Sequence, residues 1–244
     1  MPANPPPSPL KPIQHNTMQE QVYRRIRQSL IDGQFKPGQV LTIRDLAQQL
    51  GTSVMPVREA FHKLIVEQVL VMTPTRSVRV PVLTADRFTE ICDARMLLEG
   101  HMAKLAAQRA DEDDLARIEE AHRRFLSAKT AKDPTLLLQL NREFHFAIYA
   151  TARHTTVMGL IEPLWVRSGP CMLTLFEELG TEQIKRGASN PHRSAFEAVK
   201  AHRGADAQQA ITADIRATSE RYRSYLERVR ASGAPSVLTT ATDY

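Results

Sequence analysis

Only three or four residues separate two amphipathic helical stretches in TIRDLAQQLGTSVMPVREAFHKLI, and that gap governs how the first third of the chain can fold. In the first stretch Ile43, Leu46, Ala47 and Leu50 share one face, with Thr42 and Asp45 at its start and Gly51 as its cap. In the second, which begins near Ser53, the apolar stripe is Val57, Ala60, Phe61, Leu64 and Ile65. Pro56 falls in its first turn, where a missing N–H is tolerated. The pattern predicts two helices joined by a tight turn.

Upstream, Thr17 and Glu20 have capping-box spacing ahead of Val22, Ile26 and Leu30, and Gly33 marks the stop, which predicts a further helix. Downstream the period changes to two. VLVMT and SVRVPV read as short strands around Pro74-Thr75-Arg76. Three helices followed by a β-hairpin make a winged helix-turn-helix, expected over residues 17–82. Residues 1–16 are proline-rich and read as a disordered arm.

Charge follows the same division. Residues 1–80 hold 10 Lys/Arg against 5 Asp/Glu, whereas residues 81–244 hold 22 of each, so the whole excess of +5 lies in the first third. A basic module joined to a neutral one points to a polyanion partner. The stripe of the third helix leaves Val54, Arg58 and His62 on the opposite side, with Ser53 and Met55 in the same first turn. In a helix-turn-helix that outer face enters the major groove of double-stranded DNA. Arg58 suits a guanine edge or a phosphate, Arg44 a phosphate, and Arg76 and Arg79 on the hairpin the backbone or minor groove.

From Asp86 on, helical periodicity dominates, with helices expected at 86–109, 112–129, 134–151, 155–168, 170–187, 191–203 and 206–230, divided by Asp133-Pro134, Gly169-Pro170 and Asn190-Pro191. The expected fold is mainly α: the winged module, an all-helical bundle over 83–232, and a frayed tail over 233–244. Cys92 and Cys171 are 79 residues apart and form no CxxC pair, which suits free thiols in the core. Neither a signal-peptide pattern nor an apolar run long enough for a membrane span occurs, so a cytoplasmic protein without a membrane partner is expected.

Pro37-Gly38, Leu41, Leu46-Ala47, Leu50-Gly51, Ser53, Pro56-Val57-Arg58-Glu59-Ala60 and Leu64 together resemble the GntR family of bacterial transcription regulators, and the helical remainder is similar to the FCD effector domain of its FadR-like branch. Three positions depart from the family pattern. Val54 stands where an arginine that contacts DNA is usual, and Gln68 and Ser77 stand where glycines are usual. The resemblance implies an operator-binding homodimer, a repressor released by a small effector, and an operator that differs from the commonest family site or is bound more weakly.

Many FCD domains hold a divalent metal with an aspartate, a histidine four residues on, and two later histidines. Matched position by position, this chain offers Asn141, His145, His192 and Asp214. Two imidazoles and one carboxylate make a workable trio. With one imidazole fewer than usual, affinity for zinc should fall and harder ions compete better, so the ion class is zinc, nickel, manganese or iron. A carboxylate effector would complete the coordination, and Arg95 would pair with it or with Glu99 at i+4. His202, ten residues past His192 on the same expected helix, suits a surface or supporting role. Two other classes compete: a metal-dependent helical-bundle enzyme, which lacks an obvious general base and leaves the basic module unexplained, and a non-specific nucleic-acid binder.

Overall fold

The computed structural model describes residues 18–73, 77–128, 133–187 and 189–232, with the backbone alone at 179–187 and 189–190. The expected arm and tail, Thr17 and Arg76 lie outside the described residues. Helix α1 (Met18–Ile31) buries Val22, Ile26 and Leu30 and ends ahead of Gly33, whose φ of +70° turns the chain where an L side chain would be strained. Helix α2 (Ile43–Gln49) is capped by Thr42, whose hydroxyl accepts from the Asp45 N–H at 3.2 Å. Helix α3 (Val54–Val66) buries Val57, Ala60, Phe61 and Leu64.

The hairpin is shorter than its alternating pattern implies: β2 (Val71–Met72) and β3 (Val78–Arg79) pair antiparallel over two residues each. Strand β1 (Val40–Leu41) pairs with the other edge of β3, giving the order β1-β3-β2. The sequence reading missed β1, because two residues between a Pro-Gly turn and a helix cap are too few to show alternation.

Gln68 has a φ of +58°. A glutamine there carries left-handed strain that a glycine would not, roughly 1–2 kcal/mol. A glycine's extra freedom in the unfolded chain offsets about half of that. Gln68→Gly should therefore raise stability by about 0.5–1 kcal/mol, read as a shift in the urea midpoint with an unchanged slope.

The remainder is helical: α4 (Ala85–Arg109), α5 (Glu112–Ala128), α6 (Pro134–Thr151), α7 (Thr155–Gly187), α8 (Ser189–Lys200) and α9 (Gly204–Ala231). Two expectations are corrected. The stretches 155–168 and 170–187 form one helix running through Pro163 and Pro170. Each proline removes one backbone donor, a cost of about 3 kcal/mol in isolation. Burial of Ile161, Trp165, Val166, Leu173 and Leu175 on both sides of these prolines outweighs that cost. His202 is not on α8, which ends at Lys200. It sits in the following turn at φ +55°, with Nδ1 2.9 Å from the Ala107 carbonyl oxygen.

The two halves share a seam. Val166 of α7 belongs to the apolar core built by α1–α3 and the sheet. Gly169, next along α7, lets the α1 backbone approach so closely that an added Cβ would lie 2.7 Å from the Leu30 carbonyl oxygen and 3.1 Å from Ile31 Cα. Arg27–Glu162, Arg142–Asp32 and Lys36–Glu177 ion pairs at 3.0–3.4 Å flank the contact. Ion pairs that water still reaches, as it does these three, add little energy; the apolar seat of α1 on α7 holds the halves together.

Candidate functional site

Asn141, His145 and Tyr149 recur every four residues on the inner face of α6, and all three are buried. Helix α8 brings His192 and α9 brings Asp214 to the same point. The His145 Nε2 atom lies 3.2 Å from His192 Nε2 and 3.3 Å from Asp214 Oδ2, and His192 Nε2 lies 3.7 Å from Asp214 Oδ2. An ion about 2.0–2.1 Å from each of three tetrahedral donors requires those donors to be about 3.3–3.4 Å apart. The two distances from His145 Nε2 meet that requirement, the His192–Asp214 distance of 3.7 Å is somewhat longer, and all three side chains converge on one point.

The hydrogen-bond network also sets His145 for ligation. The Tyr149 hydroxyl donates to Glu99 Oε2 at 2.6 Å, so its single proton is committed, and its contact with His145 Nδ1 at 2.9 Å must be donated by the ring. That places a proton on Nδ1, and in the neutral ring Nε2 carries the lone pair turned toward Asp214 and His192. Such partners behind a ligating imidazole fix its orientation and strengthen it as a donor. His192 lies between the Phe125 and Phe144 rings, 4.6 and 4.5 Å away, and burial holds its imidazole down at about 4 against the pull of Asp214. A neutral ring is what a metal needs. Burial pushes the Asp214 carboxyl up, but the adjoining His145 and His192 side chains outweigh it and hold the group well below the usual carboxylate range, so it stands as an anion beside the two rings.

Around the triangle is a charged network that the sequence reading only partly anticipated. Arg95 Nε donates to Glu99 Oε1 at 2.6 Å, the Trp165 indole N–H donates to the same oxygen at 3.0 Å, and the guanidinium lies over the Trp165 ring at 4.2 Å. Of the two partners considered for Arg95, Glu99 is the one it holds here. Glu99 is fully buried yet accepts from Arg95, Tyr149 and Trp165, which satisfies both of its oxygens. Burial raises the Tyr149 phenol well above its ordinary range, and Glu99 adds to the shift, so it stays a neutral donor.

Asn141, His145, Asp214, Arg95 and Arg221 line a cavity of about 30 Å³, closed on the α7 side by Met172, Leu175 and Phe176. That volume suits about one water molecule. Arg221 escaped the sequence reading because α9 shows no local sign of which turn faces the cavity. Tyr149, one turn past His145 on the same face, was there to be found.

On the winged module Arg44, Ser53, Val54, Met55, Arg58 and His62 are all exposed. Neither Arg44 nor Arg58 has an ion-pair partner among the described residues. Arg79 is half-buried, and its Nε has no hydrogen-bond partner among the described residues. Among the described residues no helix is long and apolar enough to cross a membrane.

A winged helix-turn-helix joined to a helical bundle with a polar centre defines a ligand-responsive DNA-binding regulator rather than an enzyme. Residues 18–80 match the "Bacterial regulatory proteins, gntR family" domain and residues 90–217 the FCD domain, so the chain belongs to the GntR family of transcriptional regulators, with an FCD domain. It is 31% identical over 180 residues to the HTH-type transcriptional regulator McbR of Escherichia coli K12, covering 74% of this chain and 81% of that one. It is 22% identical over 204 residues to the HTH-type transcriptional repressor RspR of the same organism, covering 84% and 88%. The solved structure of E. coli McbR/YncC superposes with a TM-score of 0.80 at 27% identity, over 86% of this chain and all of that one.

Proposed function

We propose that the protein is a homodimeric, cytoplasmic repressor that reads a near-palindromic operator with α3 and releases it when a small carboxylate enters the helical bundle. The observation that carries the reading is the exposed outer face of α3, with Arg58, which has no ion-pair partner among the described residues, at its centre, on a module whose α1 is seated directly on α7 of the bundle. Arg58 would reach base edges and Arg44 a phosphate, with Ser53, Val54, Met55 and His62 completing the contact face and Arg76 and Arg79 following the backbone or minor groove. Valine at position 54 offers an apolar contact in place of the family's arginine, which supports an altered operator.

His145, His192 and Asp214 would hold a divalent ion, with Asn141 as a neutral oxygen donor beside them. A bound ion would offer open positions to an effector carboxylate. The cavity is too small for more than a water molecule, so an effector needs it to widen. The side chains that close it, Met172, Leu175 and Phe176, belong to the same helix that seats α1. An effector that binds the widened state better shifts α7, and with it the spacing of the DNA-reading helices. The repressor assignment draws support from the relative RspR, which bears that name. Leu97 on α4 and Leu160 on α7, 76% and 55% exposed, are apolar surface of the bundle that a second copy would cover.

Selection from random duplex DNA with the full-length protein tests the reading. It should enrich a near-palindrome whose half-sites lie about one helical turn apart, roughly 10 base pairs. Enrichment of no sequence would favour the non-specific binder instead.

A further inference from the structure

A second cavity lies where the two halves of the chain meet, and its volume of about 250 Å³ is several times that of the bundle cavity. Ile65 at the end of α3, Val71 of β2, and Val82 and Leu83 of the connector form its apolar wall, and Arg87 of α4 and Arg167 of α7 supply two guanidinium groups. It shares no lining residue with the cavity around His145.

Arg167 carries the case for a ligand. Its Nε is buried and has no hydrogen-bond partner among the described residues. Buried donors are almost always satisfied, so an unsatisfied one marks a place where an acceptor belongs. Burial lowers the tendency of Arg167 to hold its charge, the Arg87 charge lowers it further, and Glu90 only partly compensates. Arg87 is partly engaged, donating through Nη1 to Glu90 Oε2 at 2.7 Å, so it contributes chiefly its field. Two guanidiniums facing one carboxylate leave a single positive charge beside an apolar wall. Such a site suits one negative charge on an apolar body.

We propose that this interdomain cavity is a second ligand site, taking a compact monoanion with an apolar body, such as a medium-chain or aromatic carboxylate. Its volume falls just under the usual range for ligand pockets, roughly 300–1,000 Å³, which favours a small occupant. A molecule held there touches α3, the hairpin and the connector on one side and α4 and α7 on the other. It therefore stabilises one arrangement of the two halves, independently of any ligand in the bundle.

Calorimetric titration of the full-length protein with octanoate tests the site. Binding should saturate at one per chain. Arg167→Gln should weaken it about tenfold or more, as loss of a charge-assisted hydrogen bond does. The uncharged analogue 1-octanol should bind at least about tenfold more weakly than octanoate. Val82→Trp, which fills the cavity from the connector, should abolish binding and serves if Arg167→Gln does not fold. His145→Ala/His192→Ala should bind octanoate as the unsubstituted protein does, so the bundle site can fail without affecting this one. Undiminished binding by Arg167→Gln or Val82→Trp, equal binding of octanol, loss of octanoate binding in the double histidine variant, or no saturation by about 10 mM would each overturn the assignment.

Discussion

The variant His145→Ala/His192→Ala is expected to lose divalent metal, falling from about one ion per chain to less than about a tenth of that after dialysis against trace zinc or manganese. Two of the three converging donors are removed, and Asp214 with a neutral Asn141 oxygen is a poor site for a transition-metal ion. Removing even a partner behind a metal ligand costs roughly 10–100-fold in affinity, so losing two ligands costs more. A thermal readout accompanies the metal analysis. Metal at about 100 times its dissociation constant stabilises a folded protein by about 2.7 kcal/mol, so the unsubstituted protein should melt higher with added metal and the double variant should not. Full metal occupancy in the variant would show that these residues are not the ligands.

The second large effect is expected at Gly169→Ala. In a helix interior glycine to alanine ordinarily stabilises by about 1 kcal/mol. Here the new methyl group would lie 2.7 Å from the Leu30 carbonyl oxygen and 3.1 Å from Ile31 Cα, and both are backbone atoms of α1 that cannot swing aside as a side chain can. Either α1 lifts from α7 or the helices strain, so the expected outcome is a net loss of about 1–3 kcal/mol in chemical unfolding. The sign is the diagnostic. A stabilised Gly169→Ala protein would mean that α1 and α7 are not packed this closely, and the proposed route from effector to DNA would lose its mechanical link.

The sequence was most informative where local rules act alone. Thr42 caps α2 as its position implied, Gly33 and Gly51 take the positive φ angles of +70° and +62° that helix stops ask for, and the stripe of α3 is buried on the predicted side. It was least informative where tertiary packing overrides those rules. Pro170 after Gly169 reads as a helix break, yet α7 continues through it because its neighbours on both sides bury large side chains. His202 lost its place on α8 for a related reason, since nothing local says that the helix ends at Lys200.

The site divides in the same way. The spacing of Asn141 and His145 is visible in one helix, whereas pairing them with His192 and Asp214 needed the family resemblance, because those side chains arrive on separate helices. Glu99 accepting from Arg95, Tyr149 and Trp165 spans three helices, and only the i+4 pair Arg95–Glu99 could be foreseen. The interdomain cavity has no local signature at all, being made by the seating of one half on the other.

The most direct measurement compares Arg58→Ala with the unsubstituted protein on the selected duplex, by fluorescence anisotropy with random-sequence competitor present. The proposed dimer would lose the contact in both half-sites, each worth about 1–3 kcal/mol, so affinity should fall at least about thirtyfold while circular dichroism and metal content stay the same. Affinity within about twofold of the unsubstituted protein would contradict the account, since α3 would then not be the element that reads DNA.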